Sequence, residues 1–196
     1  SRIYAVNPDK SIRWQYAGAS GPVGKISIDA SGNVMFTDSA NIAVNDRVFK
    51  IKPNGREKWD VFLLTASGFT PITGPDGDIY TSSRQGANGV PRYYRLNGDT
   101  GAVVWQTSPD ASFVYATSDL AYDQAENKLY AVSTSRFQLF TINPSDGQLT
   151  EDMIKPFIAD PITKVTISGD LLAVGATLIS NNPASGSAVY GIDKAT

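Results

Sequence analysis

The chain has 196 residues, of which 41% are hydrophobic and 18% charged, enough apolar material for a single domain with a substantial core. It contains neither cysteine nor histidine, which excludes a disulfide, a thiolate nucleophile, a Cys/His zinc site and a Ser-His-Asp triad. Net charge is −2 with basic residues spread among acidic ones, arguing against nucleic acid as a partner, and no apolar run approaches the roughly 18 residues of a membrane span.

In chain order, the first element is a short phrase, Ile3-Tyr4-Ala5-Val6-Asn7: an aliphatic or aromatic residue, an aromatic, a variable residue, an aliphatic, and a polar residue opening a turn. A second strand carrying Trp14 follows at 12–16. From there a four-strand grammar repeats. Strand A is expected at 25–29, strand B at 33–36 after the turn Ala30-Ser31-Gly32, strand C at the phrase Val48-Phe49-Lys50-Ile51-Lys52, and strand D at 57–61 around Trp59. The next set runs through 70–73, the turn Pro75-Asp76-Gly77, 78–81, Tyr93-Tyr94-Arg95-Leu96-Asn97 and 103–107 around Trp105. A fourth set gives 118–122, Ala125-Glu126-Asn127, 128–131 and Leu139-Phe140-Thr141-Ile142-Asn143, with Glu151 where a tryptophan would fall. The fifth gives 163–167, Ser168-Gly169, 170–173 and Val189-Tyr190-Gly191-Ile192-Asp193. Asp29, Asp76 and Asp123 recur near the ends of the A strands and read as turn residues.

The phrase aromatics at 4, 49, 94, 140 and 190 lie 45 to 50 residues apart, the period of a four-stranded propeller blade. No stretch keeps a helical period over an ordinary helix length, and the nearest candidate, 152–158, is interrupted by Pro156. The expected fold is all-β: a β-propeller of four-stranded antiparallel blades, about four to five of them present, in one domain 1–196 with repeats at roughly 1–16, 17–62, 63–107, 108–153 and 154–196.

The segment from Leu96 through Asn97-Gly98-Asp99-Thr100-Gly101 to Trp105 resembles the tryptophan-docking motif of pyrroloquinoline-quinone-type (quinoprotein) propeller repeats, and 5–14 and 51–59 match a shorter variant of it. The resemblance implies that Trp14, Trp59 and Trp105 are structural, each packing between neighbouring blades while the turn before it ties one blade to the next. Glu151 departs from the pattern, so that junction is expected to be weaker or differently packed. A quinoprotein dehydrogenase of this family carries a vicinal cysteine pair beside its quinone; this chain has no cysteine, and no cofactor is expected.

The series opens on a C–D pair and closes on an A–B–C set, which reads as part of a larger ring. Two other readings stay open: closure of 12–16 against the terminal A–B–C set, and pairing of two half-rings. On the part-ring reading, apolar surface at Ile3, Val6, Val189 and Ile192 would drive self-association or contact with missing blades.

Ligands of propellers usually gather on the face built by D-to-A and B-to-C loops, here 17–23, 63–69, 108–115 and 155–161, and 38–46, 83–91, 133–136 and 177–187. Ligand-face candidates are Asp38, Phe69, Arg84, Phe113, Tyr115 and Arg136. Phe69, Phe113 and Tyr115 suit stacking on a sugar ring or packing between blades; Arg84 and Arg136 suit an anionic ligand or a salt bridge. Asp38, Asn41, Asn45 and Asp46 gather oxygens in one loop without EF-hand spacing, so they read as a turn. No catalytic or metal residue is assigned. The expected function is a noncatalytic binding or assembly scaffold of the cell envelope or exterior, taking a protein or carbohydrate on its loop face and acting in the periplasm, at the cell surface or as a secreted protein. This accords with a resemblance to the outer-membrane-assembly propeller lipoproteins. The alternative is a fragment of a quinone-dependent dehydrogenase or carbohydrate-active propeller.

Overall fold

The computed structural model describes residues 1–38, 46–63, 69–83, 92–107, 119–133, 138–153, 160–161, 165–177 and 187–194. These residues form antiparallel sheets stacked side by side as propeller blades. The first blade is the pair β1 (Ile3–Val6) and β2 (Ile12–Tyr16). The second runs β3 (Val23–Ile28), β4 (Val34–Asp38), β5 (Asp46–Ile51), β6 (Glu57–Leu63), each paired with the next. The third runs β7 (Ile72–Thr73), β8 (Ile79–Ser83), β9 (Arg92–Leu96), β10 (Val103–Gln106), and the fourth β11 (Ala121–Asp123), β12 (Lys128–Ser133), β13 (Gln138–Ile142), β14 (Leu149–Met153).

In the fifth blade the A strand comes in two pieces, β15 (Asp160–Pro161) and β16 (Thr166–Ser168), both pairing with β17 (Leu171–Thr177), which pairs in turn with β18 (Ser187–Asp193). Residues 160–161 were expected to be loop. An edge strand tolerates Pro161 because its outer amide needs no ladder partner. Among the described residues β2 pairs only with β1 and β18 only with β17, so no pairing of 12–16 with 189–193 is formed.

Alternation along each C strand divides its phrase between two junctions. The first phrase residue faces the following blade and the second and fourth face the preceding one. Val48 packs with Trp59, Ile79, Tyr94 and Leu96 between the second and third blades, whereas Phe49 and Ile51 pack with Ile3, Val34 and Phe36 between the first and second. Tyr93 joins Leu129, Phe140 and Ile142 at the next junction, and Leu139 joins Val165, Leu172, Tyr190 and Ile192 at the last. Central strands therefore bury both faces, and β4 and β8 are buried along their whole length. At the first junction the rings of Phe36 and Phe49 stack at 4.8 Å with Tyr16 edge-on to both.

Two of the four residues expected to carry exposed apolar surface do not. Ile3 occupies the first phrase position and is buried against the second blade, and Ile192 occupies the fourth position and is half-buried against the fourth blade; Val6 and Val189 are exposed.

Candidate functional site

The turns that close the blades on one side repeat a single docking device. Trp14 Nε1 donates to Pro53 O at 3.0 Å, Trp59 Nε1 to Gly98 O at 3.2 Å and Trp105 Nε1 to Pro144 O at 2.8 Å, each acceptor lying in the C–D turn of the next blade. Each indole also lies against a glycine of that turn. Gly101 holds φ +76 with room for no side chain, since a Cβ there would meet the Trp59 ring at 2.8 Å; Gly55 against Trp14 and Gly147 against Trp105 repeat the arrangement. Trp59 is buried, while Trp14 and Trp105 are half-buried.

A second device, missed by sequence reasoning, sits beside the first. The third phrase position looked variable (Ala5, Lys50, Arg95, Thr141, Gly191), yet where it is basic it clips two blades together. Lys50 Nζ reaches Asp29 of its own A–B turn at 3.1 Å and Gly98 O of the next blade at 3.1 Å, with both side chains buried. Arg95 binds Asp76 at 2.7 Å and Asp78 at 2.8 Å and donates to Pro144 O at 3.1 Å. At the last junction the cation comes from the other side: Lys194 of the fifth blade binds Asp123 at 2.6 Å and Glu126 at 2.9 Å in the fourth. This is the junction where Glu151 replaces a tryptophan; the side chain of Glu151 lies outside the described residues. The signal available in the sequence was a cation in the C strand accompanied by a carboxylate in the A–B turn of the same repeat.

The electrostatics follow from these contacts. Burial pushes the Asp29 carboxyl up, but hydrogen bonds from Asn33 and Lys50 outweigh it and hold it below the usual carboxylate range. Asp123 is likewise raised by burial and brought below its ordinary value by Lys194 and the amides of Glu126 and Ala125. Lys194 is raised, chiefly by its hydrogen bond to Asp123. Burial, with a hydrogen bond to Glu126, pushes the Tyr130 phenol up to about 12.

Between the second and third blades these turns border a cavity of about 670 Å³, lined by Asp29, Asp76, Asp78, Asp99, Lys50 and Lys58 together with amides of Asn33, Asn97 and Gln124 and an apolar margin of Ile28, Met35 and Ile72. Each of its carboxylates meets a cation, Asp99 through Lys58 at 2.7 Å. Lys58 and Ser11 hold Asp99 and Asp9 respectively below the ordinary carboxylate value. The arrangement offers hydrogen-bonding groups. Among the described residues no group of three or more acidic side chains is placed to hold a metal ion.

On the opposite side, Asp38 ends β4 fully buried, its carboxylate accepting Ser20 N at 2.9 Å and Arg47 N at 3.1 Å, so it fastens the preceding loop to β5. Phe69 is buried just before β7, and its carbonyl accepts from Thr37 Oγ1 at 3.4 Å. The structure thus brings Asp38 and Phe69 to the same end of adjacent blades. Arg84, Phe113, Tyr115 and Arg136, and Asn41 and Asn45 beside Asp38, lie outside the described residues. Nearby, Asp119 accepts from Thr70 N at 2.8 Å, Thr70 Oγ1 at 3.1 Å and Lys25 Nζ at 2.7 Å, tying together residues at or just before the A strands of three successive blades. Asp76 lies within the A–B turn of the third blade, where its carboxylate accepts Asp78 N at 3.1 Å; Asp29 and Asp123 accept turn amides in the same manner.

No protein-family model and no curated protein matches the chain. Solved structures do. The chain is similar over its whole length to BamB from Moraxella catarrhalis, at 15% identity and a TM-score of 0.65, covering 63% of that chain. Over 98% of its length it is similar to a europium-containing methanol dehydrogenase, at 12% identity and a TM-score of 0.64, covering 46% of that chain. It also matches a 6-phosphogluconolactonase candidate from Bacteroides uniformis at 15% identity, TM-score 0.62, over 97% of this chain and 63% of that one. The chain therefore spans about half to two thirds of these neighbours. At such identities the likeness shows the β-propeller fold.

Proposed function

We propose that this chain is a noncatalytic binding or assembly scaffold built from quinoprotein-like propeller repeats, working in the cell envelope or exterior. The observation that carries this reading is the state of the cavity between the second and third blades: Asp29, Asp76, Asp78 and Asp99 are all engaged by lysine or arginine, and Asp29 and Asp99 are held below the usual carboxylate range. Carboxylates committed to holding blades together are poor acids and bases for turnover. The repeat resemblance, with its three indole docks, supports the assignment of the repeat type and, by analogy with envelope propellers of this repeat, the compartment.

The ligand is a protein segment or a carbohydrate on the loop face, near Asp38 and Phe69 and the neighbouring candidates Arg84, Phe113, Tyr115 and Arg136. Titrating the chain against arrays of extended peptides and of glycans tests the scaffold reading, with saturable binding to members of one array expected. Dye-linked alcohol oxidation after adding pyrroloquinoline quinone, or lactone or glycoside hydrolysis, measured on the same preparation, would instead establish an enzyme and overturn the reading.

A further inference from the structure

An asparagine followed by glycine is prone to lose its side-chain amide, because a glycine nitrogen has no adjoining Cβ to hinder its approach to the asparagine Cγ. The described residues hold two such pairs, Asn54-Gly55 and Asn97-Gly98, in the C–D turns of successive blades. A third, Asn88-Gly89, lies outside the described residues.

The two turns hold the reacting atoms differently. At Asn97 the nucleophile is guarded: Gly98 N donates to the Asp78 carboxylate at 2.9 Å, and Gly98 is buried so tightly that a Cβ on it would lie 1.9 Å from Gly77 O. The electrophile is guarded too, since Asn97 Oδ1 accepts from Asp99 N at 3.1 Å, Thr100 N at 2.9 Å and Thr100 Oγ1 at 3.0 Å. An ionised acceptor retains the amide proton that must leave, and three donors fix the side chain. Asn54 is exposed; its Oδ1 accepts from Arg56 N at 3.1 Å, and Gly55 N donates to Lys52 O at 2.9 Å. Both of these bonds lie within the turn itself, where water competes for them.

We infer that Asn54 is a site of spontaneous covalent modification whose product releases the first indole dock. Gly55 N attacks Asn54 Cγ: the new N–Cγ bond closes a succinimide, the Cγ–Nδ2 bond breaks, and the amide proton departs with Nδ2 as ammonia. Water then opens the ring. Addition at Cγ leaves aspartate; addition at the main-chain carbonyl carbon leaves isoaspartate, whose backbone runs through Cβ and Cγ and is longer by a methylene.

The dock distinguishes these products. Asp146-Gly147 stands at the equivalent place in the fourth blade, where Asp146 Oδ1 accepts Gln148 N at 2.9 Å and the turn still docks Trp105 through Pro144 O. An aspartate at position 54 therefore fits the turn. The isoaspartyl link does not, because it lengthens the chain between Pro53 O, which accepts from Trp14 Nε1 at 3.0 Å, and Gly55, where a Cβ would already meet the Trp14 ring at 2.7 Å. The junction of the first and second blades then loosens while the other docks persist.

Ageing the full chain in mildly alkaline buffer, followed by peptide mapping with fragmentation that separates isoaspartate from aspartate, tests this. Conversion at Asn54 should run at least about ten-fold faster than at Asn97, with isoaspartate among its products. The aged parent should shift its urea midpoint toward that of Trp14→Ala. Asn54→Asp, before ageing, should keep the midpoint of the parent. Asn54→Ser, which cannot close the ring, should keep its own midpoint through the same ageing even though Asn88-Gly89 is still present. Conversion at Asn97 as fast as at Asn54, an isoaspartyl chain as stable as the parent, or an equal loss on ageing in Asn54→Ser overturns the inference.

Discussion

Replacing Lys50 by methionine removes the charge from the clip between the second and third blades while keeping the volume of its stem. The side chains of Lys50 and Asp29 are 4% and 7% exposed, so the substitution leaves a carboxylate buried without its counterion. Breaking a buried pair from one side costs about 3–5 kcal/mol. Asp29 keeps hydrogen bonds from Ser31 N at 3.0 Å and Asn33 N at 2.8 Å, and Gly98 O keeps Trp59 Nε1, which places the expected loss near the lower bound, about 3 kcal/mol. Removing both charges with Asp29→Asn and Lys50→Met should cost less than the sum of the single changes, by a coupling of about 1–3 kcal/mol. Asp29 has a folded pKa below its unfolded value, so its stabilisation is present above about pH 4 and is lost as pH falls through the folded value; Lys50→Met should flatten that acid slope. Urea unfolding followed by tryptophan fluorescence at pH 7 and pH 3 measures all three quantities. A loss under about 1 kcal/mol, the range of exposed pairs, or strict additivity of the two changes would refute the clip.

Trp59→Ala should cost about 3–5 kcal/mol in urea unfolding, and Trp14→Ala, from a half-buried indole, about half as much; equal losses would contradict the different burial of the two docks. Gly101→Ala should destabilise by more than Gly77→Ala, since both have positive φ but only the first would press a Cβ on an indole, at 2.8 Å; thermal midpoints of the two variants give the difference directly. Lys194→Met should lower the urea midpoint most between about pH 5 and 9 and converge with the parent below about pH 4. Asp123 is depressed, so its contribution fades as pH falls through its folded value, and Lys194 is raised, so its own persists until pH climbs through its folded value.

Blade order was legible because the signals for it are local: a strand of period two, a turn residue that accepts positive φ, and an aromatic returning at a near-constant interval. The division of each phrase between two junctions was equally present in the alternation, and overlooking it led to the expectation that Ile3 would be open; its position in the phrase already directs it at the second blade. Lys50 and Arg95 were less legible. A lysine in a strand reads as solvated until the partner that buries it is known, and Asp29 and Gly98 lie 21 residues before and 48 after Lys50. Asp38 shows the converse. At a loop mouth an acidic residue reads as a surface group, and its structural part, accepting the amides of Ser20 and Arg47 with its two oxygens, depends on chain segments 18 residues before and 9 after it.

Placement of the clips bears on where a ligand face can evolve. On the side of the A–B and C–D turns, the indoles, the glycines they cover and the cations at Lys50, Arg95 and Lys194 all hold one blade to the next. A change in any of them is felt as stability, because it leaves a buried donor, acceptor or charge without its partner. The cavity there is consequently walled by groups whose interactions are already committed. At the other end, Asp38 and Asp119 fasten loop ends to strands through backbone amides and so constrain where a loop leaves the blade without constraining which side chains it displays. A loop anchored at its root by main-chain contacts can exchange its outer residues at little cost to the ring. That asymmetry is the physical ground for the proposal of binding on the loop side, the turn side being given over to rigidity.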